Sequence, residues 1–353
     1  MRVDNMAFET QYVERKVLSI LRVLNDSPKP LGARVIAQRL KEHGVELGER
    51  AVRYHLKMTD ERGLTHLVGR RDGRSLTEQG AEEVGSALVK DKVGFALSRI
   101  ELLAFRTTFD CEKRSGLVPV NISFFRKDKF AAALQAMKPA FEAGMGVSDL
   151  VATASEGEGL GDLTVPRGYI GLATVCSIII NGSLLKAGIP TDSRFGGVLQ
   201  VRNKKPLRFV ELIHYAGSSM DPSEIFIRAK MTSVAEVARI GSGKVLANFR
   251  EIPVLSRPLA QEVLDQLNEA GMGGILVMGN TSDSVCEVPV EFNKVGIVLL
   301  GGMNPVAAAE EAGIGAEHYA MSTLVEYRDM TKFSSLLNKK TAVRRVAGYR
   351  SAY

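Results

Sequence analysis

The sequence contains few of the residues that build metal sites, disulfides or active sites. Its three cysteines are scattered, with no CxxC pair and no neighbouring histidine, which argues against a zinc site and a disulfide framework. Its five histidines form no ligand pair at helical spacing. P-loop, GxSxG and HExxH motifs are absent, and Gly157, Gly159 and Gly161 lack the spacing of a dinucleotide fingerprint. We therefore expect no metal, no cofactor and no enzymatic activity.

A long apolar run is also lacking. The longest uncharged stretch, Gly168–Leu185, is interrupted by Asn181 and is shorter than the roughly 20 apolar residues that a membrane-spanning helix needs. Asp4, Glu9 and Glu14 occupy the region where a secretory leader would be basic and then apolar. These features predict a cytoplasmic protein without a membrane partner.

The net charge of +6 is unevenly distributed over the 353 residues. Residues 1–92 carry 17 basic and 14 acidic side chains, and residues 93–331 carry 23 and 26. Residues 332–353 carry six cations and no acid. The large middle is therefore not a nucleic-acid surface. The basic tail, residues 336–353, either adds phosphate contacts or is a solvated end.

Residues 1–90 are expected to form a winged helix-turn-helix domain that binds double-stranded DNA. The pattern predicts a helix over Gly32–His43 and a second helix over Glu49–Arg62, with Val52, Leu56 and Thr59 facing the core. The exposed stripe of the second helix supplies donors for base edges and phosphates, and its members are Arg50, Arg53, Tyr54 and Lys57.

The following residues predict a wing. Two short strands flank Asp72-Gly73, which would supply positive φ angles to a tight turn. The cations expected at the tip of this hairpin are Arg70, Arg71 and Arg74. Thr77 is the predicted N-cap of a closing helix over Glu78–Leu88. The alternative is a solvated basic hairpin on a module that binds protein.

Residues 91–335 contain an internal duplication, with halves at about 114–208 and 241–330. Three segments repeat in order: Ser115–Asn121 with Ser242–Asn248, Glu142–Gly146 with Glu269–Gly273, and Ala187–Ile189 with Ala312–Ile314. The offset is 127 residues for the first two segments and 125 for the third. The fold class is therefore α+β, a winged helix followed by a duplicated α/β domain with a ligand cleft between its halves.

Each half is predicted to run strand-helix-strand, then strand-helix-strand. In the first half a helix is expected over Asp128–Ala143, a strand over Val165–Ile170 and a helix over Ala173–Ala187. Phe195–Val201 is expected to close that unit.

An anion site is predicted in residues 190–197, where hydroxyl groups, one arginine and glycines combine. The duplication pairs Lys186 with Glu311 and Arg194 with Tyr319, so only the first copy keeps its cations. The expected effector-binding residues are Arg167, Lys186, Thr191, Ser193 and Arg194. The alternative is a structural ion pair of Arg194 with Asp192 or Glu211. Glu156, Glu158 and Asp162 are interpreted as an acidic surface turn or a cation site.

The chain resembles the NrpR-type nitrogen-regulatory repressors over nearly everything from Tyr12 to about Leu336. The strings that carry the resemblance are Val93–Glu101, Gly159–Ser177, Leu184–Ile189, Ser193–Gly197, Asp221-Pro222 and Glu224–Phe226. The resemblance implies a homodimeric repressor, or a tetrameric one, that binds palindromic operators of nitrogen-assimilation genes. It also implies that 2-oxoglutarate lowers the affinity for DNA. Longer members carry two regulatory domains in tandem, whereas this chain has one.

Two other functions remain open from the residues. One is a regulator that senses a different small anion, and the other is an enzyme whose winged helix is a passenger. The missing nucleophile–base and metal constellations argue against the enzyme.

Overall fold

The computed structural model describes residues 13, 16–27, 29–42, 45–69, 72–86 and 94–338. The chain divides into two compact units, residues 1–92 and 93–353. Within the described ranges, no helix is both long enough and apolar enough to cross a membrane. The cations of the predicted basic tail beyond residue 338 lie outside the described residues.

The N-terminal unit is a winged helix-turn-helix. In chain order its described elements are α1 (16–25), α2 (Ala33–Glu42), α3 (Glu49–Glu61), β1 (Thr65–Gly69), β2 (Gly73–Leu76) and α4 (Glu78–Ser86). Helices α1 to α3 share a core because each buries one apolar stripe, and its members include Ile20, Leu24, Ile36, Leu40, Val52 and Leu56. The predicted helices α2 and α3 are confirmed to within a residue or two, whereas α1 was missed.

The predicted start of α4 is also confirmed. The Thr77 hydroxyl accepts a hydrogen bond from the Gly80 N–H at 2.9 Å, which satisfies a donor in the first turn of α4. The same hydroxyl donates to the Gly63 carbonyl at 2.6 Å. Thr77 thus links the first turn of α4 by hydrogen bonds to the turn that follows α3.

The wing is an antiparallel hairpin of β1 and β2, extended by Leu31, which exchanges two 3.0 Å backbone hydrogen bonds with Arg74. Gly73 has φ +98°, and a Cβ there would lie 2.3 Å from the Leu31 carbonyl carbon, so glycine is required. The Asp72 N–H donates to the Gly69 carbonyl at 3.2 Å, and the positive φ expected at Asp72 stays a prediction because the preceding Arg71 lies outside the described residues. Arg70 and Arg71 lie outside the described residues.

The C-terminal unit contains the predicted strand-helix-strand-strand-helix-strand pattern twice. After α5 (Phe95–Arg106), the first half runs β3 (Leu117–Arg126), α6 (Lys127–Glu142), β4 (Leu150–Ser155), the hairpin β5 (Gly159–Leu160) and β6 (Leu163–Thr164), β7 (Tyr169–Val175), α7 (Ile178–Lys186) and β8 (Asp192–Arg202). Then come β9 (Lys205–His214), α8 (Pro222–Arg228) and α9 (Val234–Ile240). The second half runs β10 (Gly243–Pro253), α10 (Arg257–Glu269), β11 (Ile275–Thr281), β12 (Lys294–Leu300), α11 (Asn304–Glu311) and β13 (Ala316–Glu326), followed by β14 (Thr331–Lys332) and α12 (Phe333–Asn338).

The two halves exchange their last strands. One antiparallel sheet has the order β13-β3-β7-β4-β14, and the other has the order β11-β12-β10-β8-β9. Strand β8 therefore joins the second half, and β13 joins the first. The expectation that Phe195–Val201 closes its own half is wrong, because the repeat in the sequence specifies the order of the elements but not which sheet each last strand joins.

Each sheet has the strand order of a ferredoxin-like β-α-β-β-α-β unit whose fourth strand comes from the other half. The helices also pack across the halves, α6 against α11 and α10 against α7. The duplicated halves consequently form one interlocked unit around a pseudo-twofold axis.

The boundary between strand and helix near residue 175 differs from the prediction. The strand covers Tyr169–Val175, and α7 begins only at Ile178. Strand β7 pairs on both sides, with β3 and β4, and nearly all of its side chains are buried. A strand of this kind is a continuous apolar run that periodicity does not separate from a buried helix.

Candidate functional site

The exposed face of α3 carries the predicted cationic stripe. Arg50, Arg53, Tyr54 and Lys57 are all exposed, and the opposite face buries Val52, His55, Leu56 and Thr59. The two faces follow from the helical spacing of the apolar residues. The stripe therefore presents three cations and one aromatic ring to solvent on a helix that the core holds in place.

Two of the three cations pair with glutamates one turn away on the same helix. Arg53 Nη2 lies 2.5 Å from Glu49, and Lys57 Nζ lies 3.8 Å from Glu61. Exposed pairs at this spacing contribute only about 0.3–0.5 kcal/mol, so a phosphate or a base edge can displace them at little cost. No carboxylate of the described residues lies within ion-pair distance of Arg50.

Arg74 lies in β2, and its side chain turns back to α3 instead of reaching the wing tip. Its Nε donates to Asp60 Oδ2 at 2.8 Å, and Thr65 on β1 donates to Asp60 Oδ1 at 2.6 Å. Thr65 also bonds to Thr59 at 2.7 Å. One carboxylate of α3 thus holds both strands of the wing, and Arg74 positions the wing. A DNA contact by Arg74 stays a prediction.

Arg194, the centre of the predicted anion site, lies in a cluster of five charges. Its Nη1 is 3.2 Å from Asp192 and 3.6 Å from the buried Glu251, and it also pairs with Glu291. Lys294 Nζ contacts the same three carboxylates at 3.0, 3.5 and 2.8 Å. Hydrogen bonds from Lys294 and Arg194 lower the pKa of Glu291. Two cations facing three carboxylates do not attract a further anion.

The structure does not bring the other predicted effector residues together. Ser193 is buried and accepts a hydrogen bond from Asn181 at 3.0 Å, on the face of β8 opposite to Arg194. Lys186 is exposed at the end of α7, and Arg167 is 96% exposed beside Glu156. The Thr191 hydroxyl is buried and has no hydrogen-bond partner among the described residues.

The acidic glycine-rich turn does not form a cation site. Glu156 pairs with Lys127 at 2.8 Å, and Glu158 accepts from the Ser155 N–H at 2.8 Å. Asp162 accepts from the Thr323 hydroxyl at 2.7 Å. The three carboxylates thus serve separate partners, as expected for a surface turn.

A small polar cavity lies between the two halves of the C-terminal unit. Residues from equivalent positions of the duplication line it, namely Asn121 and Asn248 at an offset of 127 and Ser177 and Gly302 at an offset of 125. The cavity therefore lies at the pseudo-twofold axis. Its volume is about 10 Å³, which is room for about one water molecule.

Arg250 of β10 is the dominant charge of this cavity. The side chain is 1% exposed, and its guanidinium carbon lies 5.1 Å from the centroid of the Tyr215 ring. Its Nε donates to Asn181 Oδ1 at 3.2 Å. No carboxylate of the described residues lies within 4.0 Å of its nitrogens. An arginine stays protonated in a protein, and buried charges are ordinarily paired. Here the buried Asp221 of the same cavity interacts with Arg250 only from beyond ion-pair distance.

Hydrogen bonds fix the polar groups around Arg250. The Tyr215 hydroxyl donates to Asn248 Oδ1 at 2.6 Å, and Asn248 Nδ2 donates to Ser177 Oγ at 3.0 Å. Across the axis, a Cβ on Gly302 would lie 2.2 Å from the Val175 carbonyl oxygen, so only glycine fits there. The wall of the cavity is therefore preorganised.

Burial disfavours negative charge on the acidic groups of the cavity. It raises the pKa of Asp221, although hydrogen bonds from Ser223 and the charge of Arg250 oppose this effect. Burial also raises the pKa of the Cys176 thiol to about 12, so the thiol stays protonated near neutral pH. The cavity thus combines a fixed cation with a carboxyl group whose negative charge burial disfavours and with a protonated thiol, an arrangement that suits an anionic ligand.

The sequence analysis missed Arg250 although a signal was available. The duplication pairs Arg250 with Ser123 at the offset of 127, so one copy holds a cation where the other holds a hydroxyl. The same comparison led to Arg194, but strand alternation places Arg194 among carboxylates and Arg250 in the interior.

Comparisons with known proteins match both units of the chain. Residues 93–332 match the family model for the NrpR regulatory domains NRD1 and 2, and residues 18–84 match the model for the Ribonuclease R winged-helix domain. A crystal structure of a nitrogen repressor-like protein from Methanococcus jannaschii matches with a TM-score of 0.58 at 28% identity. This match covers 68% of the present chain and 98% of that one.

The related proteins are named as nitrogen regulators. The chain is 44% identical to the global nitrogen regulator NrpRI of Methanosarcina mazei over 90% of its own length and 98% of that protein. It is 32% identical to the global nitrogen regulator NrpR of Methanococcus maripaludis over 89% of its own length and 55% of that protein. For the NrpR of Methanocaldococcus jannaschii the identity is 31%, over 94% of the chain and 58% of the relative. The chain thus spans just over half of these two longer regulators.

Proposed function

The chain belongs to the NrpR family of nitrogen regulators, and from this premise we propose that it represses nitrogen-assimilation genes as a homodimer on palindromic operators. A small dicarboxylate, 2-oxoglutarate, lowers its affinity for DNA. The winged helix makes DNA the partner of the N-terminal unit. The observation that carries the proposal for the C-terminal unit is the buried Arg250 without a carboxylate partner among the described residues.

In this proposal α3 enters the major groove. Arg50 and Arg53 contact bases and phosphates, Lys57 contacts phosphate, and Tyr54 packs on the backbone. A dimer places two such helices about 34–36 Å apart, which matches a palindrome with half-sites one helical turn apart. The wing cations Arg70 and Arg71 belong to the same proposed surface.

The DNA contact is tested by fluorescence anisotropy on a nitrogen-assimilation promoter of the source organism, at several salt concentrations. Arg53→Ala is expected to weaken binding by about 1–3 kcal/mol and to reduce the salt dependence. Arg126→Ala in the C-terminal unit is the matched control, because both arginines are 69% exposed and each pairs with an acid two to four residues away in the chain. Equal losses in the two variants, or none, would refute the assignment of α3.

The effector site in this proposal is the cavity of Arg250. One carboxylate of 2-oxoglutarate pairs with the guanidinium, while the amide and hydroxyl groups of Asn121, Ser177 and Asn248 bind the remaining oxygens. A charge-assisted pair is stronger in a buried site than in the partly exposed Arg194 cluster. In that cluster Arg194 is already paired with carboxylates. Arg194, Lys186, Thr191 and Arg167 are therefore weaker candidates.

The size of the cavity explains how a ligand could bias the protein between two states. Room for about one water molecule does not admit a dicarboxylate, so the ligand binds only to a state in which the cavity is wider. A ligand that prefers one state shifts the equilibrium towards it, by about 1–3 kcal/mol in typical allosteric proteins. This preference lowers the population that binds DNA.

The site is tested by calorimetric titration of 2-oxoglutarate into the wild type, Arg250→Met and Arg194→Ala. Arg250→Met is expected to weaken binding by about 2–5 kcal/mol while DNA binding persists without relief by 2-oxoglutarate. Because no carboxylate of the described residues lies within 4.0 Å of Arg250, its replacement by methionine breaks no close ion pair, so the variant should fold. Wild-type affinity in Arg250→Met, together with loss in Arg194→Ala, would move the site to the Arg194 cluster.

A further inference from the structure

A second cavity, of about 300 Å³, lies in the C-terminal unit at a distinct set of residues. Its wall is apolar and includes Val245 of β10, Leu300 of β12, Val237 and Ala238 of α9, and Met145 after α6. Lys204, in the turn between β8 and β9, is the charged residue of the lining. This volume lies at the lower end of the range of small-molecule pockets, which are mostly apolar with a few placed polar groups.

The internal duplication supplies a matched comparison, because the equivalent space in the other half is filled. Val118, Val175 and Met272 are the counterparts of Val245, Leu300 and Met145 at the offsets of 127 and 125. They pack in one cluster with Phe109 and Tyr327. The rings of these two aromatic residues lie 5.3 Å apart.

The cavity remains open because its own half lacks those rings. The same offsets, extended beyond the repeated segments, pair Phe109 with Glu236 of α9 and Tyr327 with Arg202, and both of these charged residues are exposed. Interiors are ordinarily close-packed, so an open apolar space whose twin is filled indicates that a ligand takes the place of the two rings.

The charge of Lys204 at the mouth of the cavity indicates which head group the ligand carries. Lys204 is exposed, its backbone has φ +61°, and its N–H donates to the Gly241 carbonyl at 2.7 Å, so its position is fixed. No carboxylate of the described chain lies within ion-pair distance of its ammonium group. The lining contains no acidic residue. A single cation at the mouth of an apolar cavity is complementary to a monoanion with an apolar body.

We propose that this cavity binds a medium-chain monocarboxylate, with its chain of roughly six to eight carbons between α9 and the sheet and its carboxylate at Lys204. The site is separate from the Arg250 cavity, and its occupation does not depend on the proposed repressor function. The two cavities differ in chemistry, because a dicarboxylate has too little apolar surface for this one.

The experiment is calorimetric titration of the full-length protein with butyrate, hexanoate and octanoate. Burial of each methylene predicts an increase in affinity of about fourfold per carbon. Ala238→Phe, which fills the cavity, is expected to reduce octanoate affinity at least tenfold. Lys204→Gln is expected to reduce the affinity for octanoate about two- to fivefold and leave that for octanol unchanged. Leu276→Phe, on another wall of the cavity, is the second filling variant in case Ala238→Phe does not fold.

Arg250→Met is the matched control and should bind octanoate like the wild type, so failure of the repressor proposal leaves this one testable. Octanoate affinity that does not change in the folded filling variants would overturn the proposal, because the ligand would then bind elsewhere. The same conclusion would follow if affinity did not depend on chain length, or if Lys204→Gln weakened octanol as much as octanoate.

Discussion

Removal of the Asp60 carboxylate should break the hydrogen bonds that hold the two strands of the wing against α3. In the structure Asp60 accepts hydrogen bonds from Arg74 at 2.8 Å and from Thr65 at 2.6 Å, and the Asp60 and Arg74 side chains are only 29% and 23% exposed. A hydrogen bond to a charged group contributes about 1.5–3 kcal/mol, and partial exposure favours the lower end. Asp60→Ala should therefore cost about 2–3 kcal/mol. For a domain of this size, that lowers the melting temperature by roughly 10–20 °C.

The assay is differential scanning calorimetry of the full chain, in which the N-terminal unit should melt earlier while the transition of the C-terminal unit stays in place. Asp26→Ala, an exposed aspartate in the same unit, is the control and should change little. In a double-mutant cycle, Arg74→Ala should lower the free energy of unfolding by less in the Asp60→Ala variant than in the wild type. Full additivity of the two changes, or a cost of Asp60→Ala no larger than that of Asp26→Ala, would refute the role of Asp60.

Three further changes follow from the structure. Burial raises the pKa of Asp221, so its contribution to stability is present below the ordinary carboxyl pKa of about 3.9 and is lost as the pH rises through the raised value. Urea unfolding should therefore show the unfolding free energy of Asp221→Asn rising relative to that of the wild type as the pH increases above about 4, and a constant difference would contradict this. Gly73→Ala should destabilise the N-terminal unit by about 2–3 kcal/mol in urea unfolding, because it forces φ +98° and a contact with Leu31; a neutral result would disprove the contact. Arg194→Ala should leave the 2-oxoglutarate response of DNA binding near that of the wild type, and a lost response would restore the site first predicted.

The winged helix could be predicted because local signals agree in that unit. Helical spacing of Val52, Leu56 and Thr59 specifies the buried face of α3, and the Thr77 cap specifies the start of α4. The direction of the Arg74 side chain could not be predicted, because it depends on Asp60, which is 14 residues away and belongs to another element. Such contacts are set by tertiary packing and leave no periodic signal.

In the duplicated unit the sequence predicted the order of the elements but not the exchange of strands. The repeat is a property of each half alone, whereas the pairing of β8 with β10 is a contact between the halves. The Arg250 cavity was missed for a similar reason. Arg194 and Arg250 are each cations without a basic counterpart in the other copy, and only the fold shows that carboxylates surround the first and not the second.

The exchange of strands limits how the Arg250 cavity can open. Arg250 and Asn248 lie on β10, which pairs with β8 of the first half, and Asn121 lies on β3, which pairs with β13 of the second. Separation of the halves as rigid bodies would break two ladders of backbone hydrogen bonds. At about 0.5–1.5 kcal/mol for each bond, the total would exceed the roughly 1–3 kcal/mol by which a ligand typically shifts an allosteric equilibrium. In the proposed function the cavity therefore widens by local movement of the segments after β7 and β12, which carry Ser177 and Gly302, while the ladders stay intact.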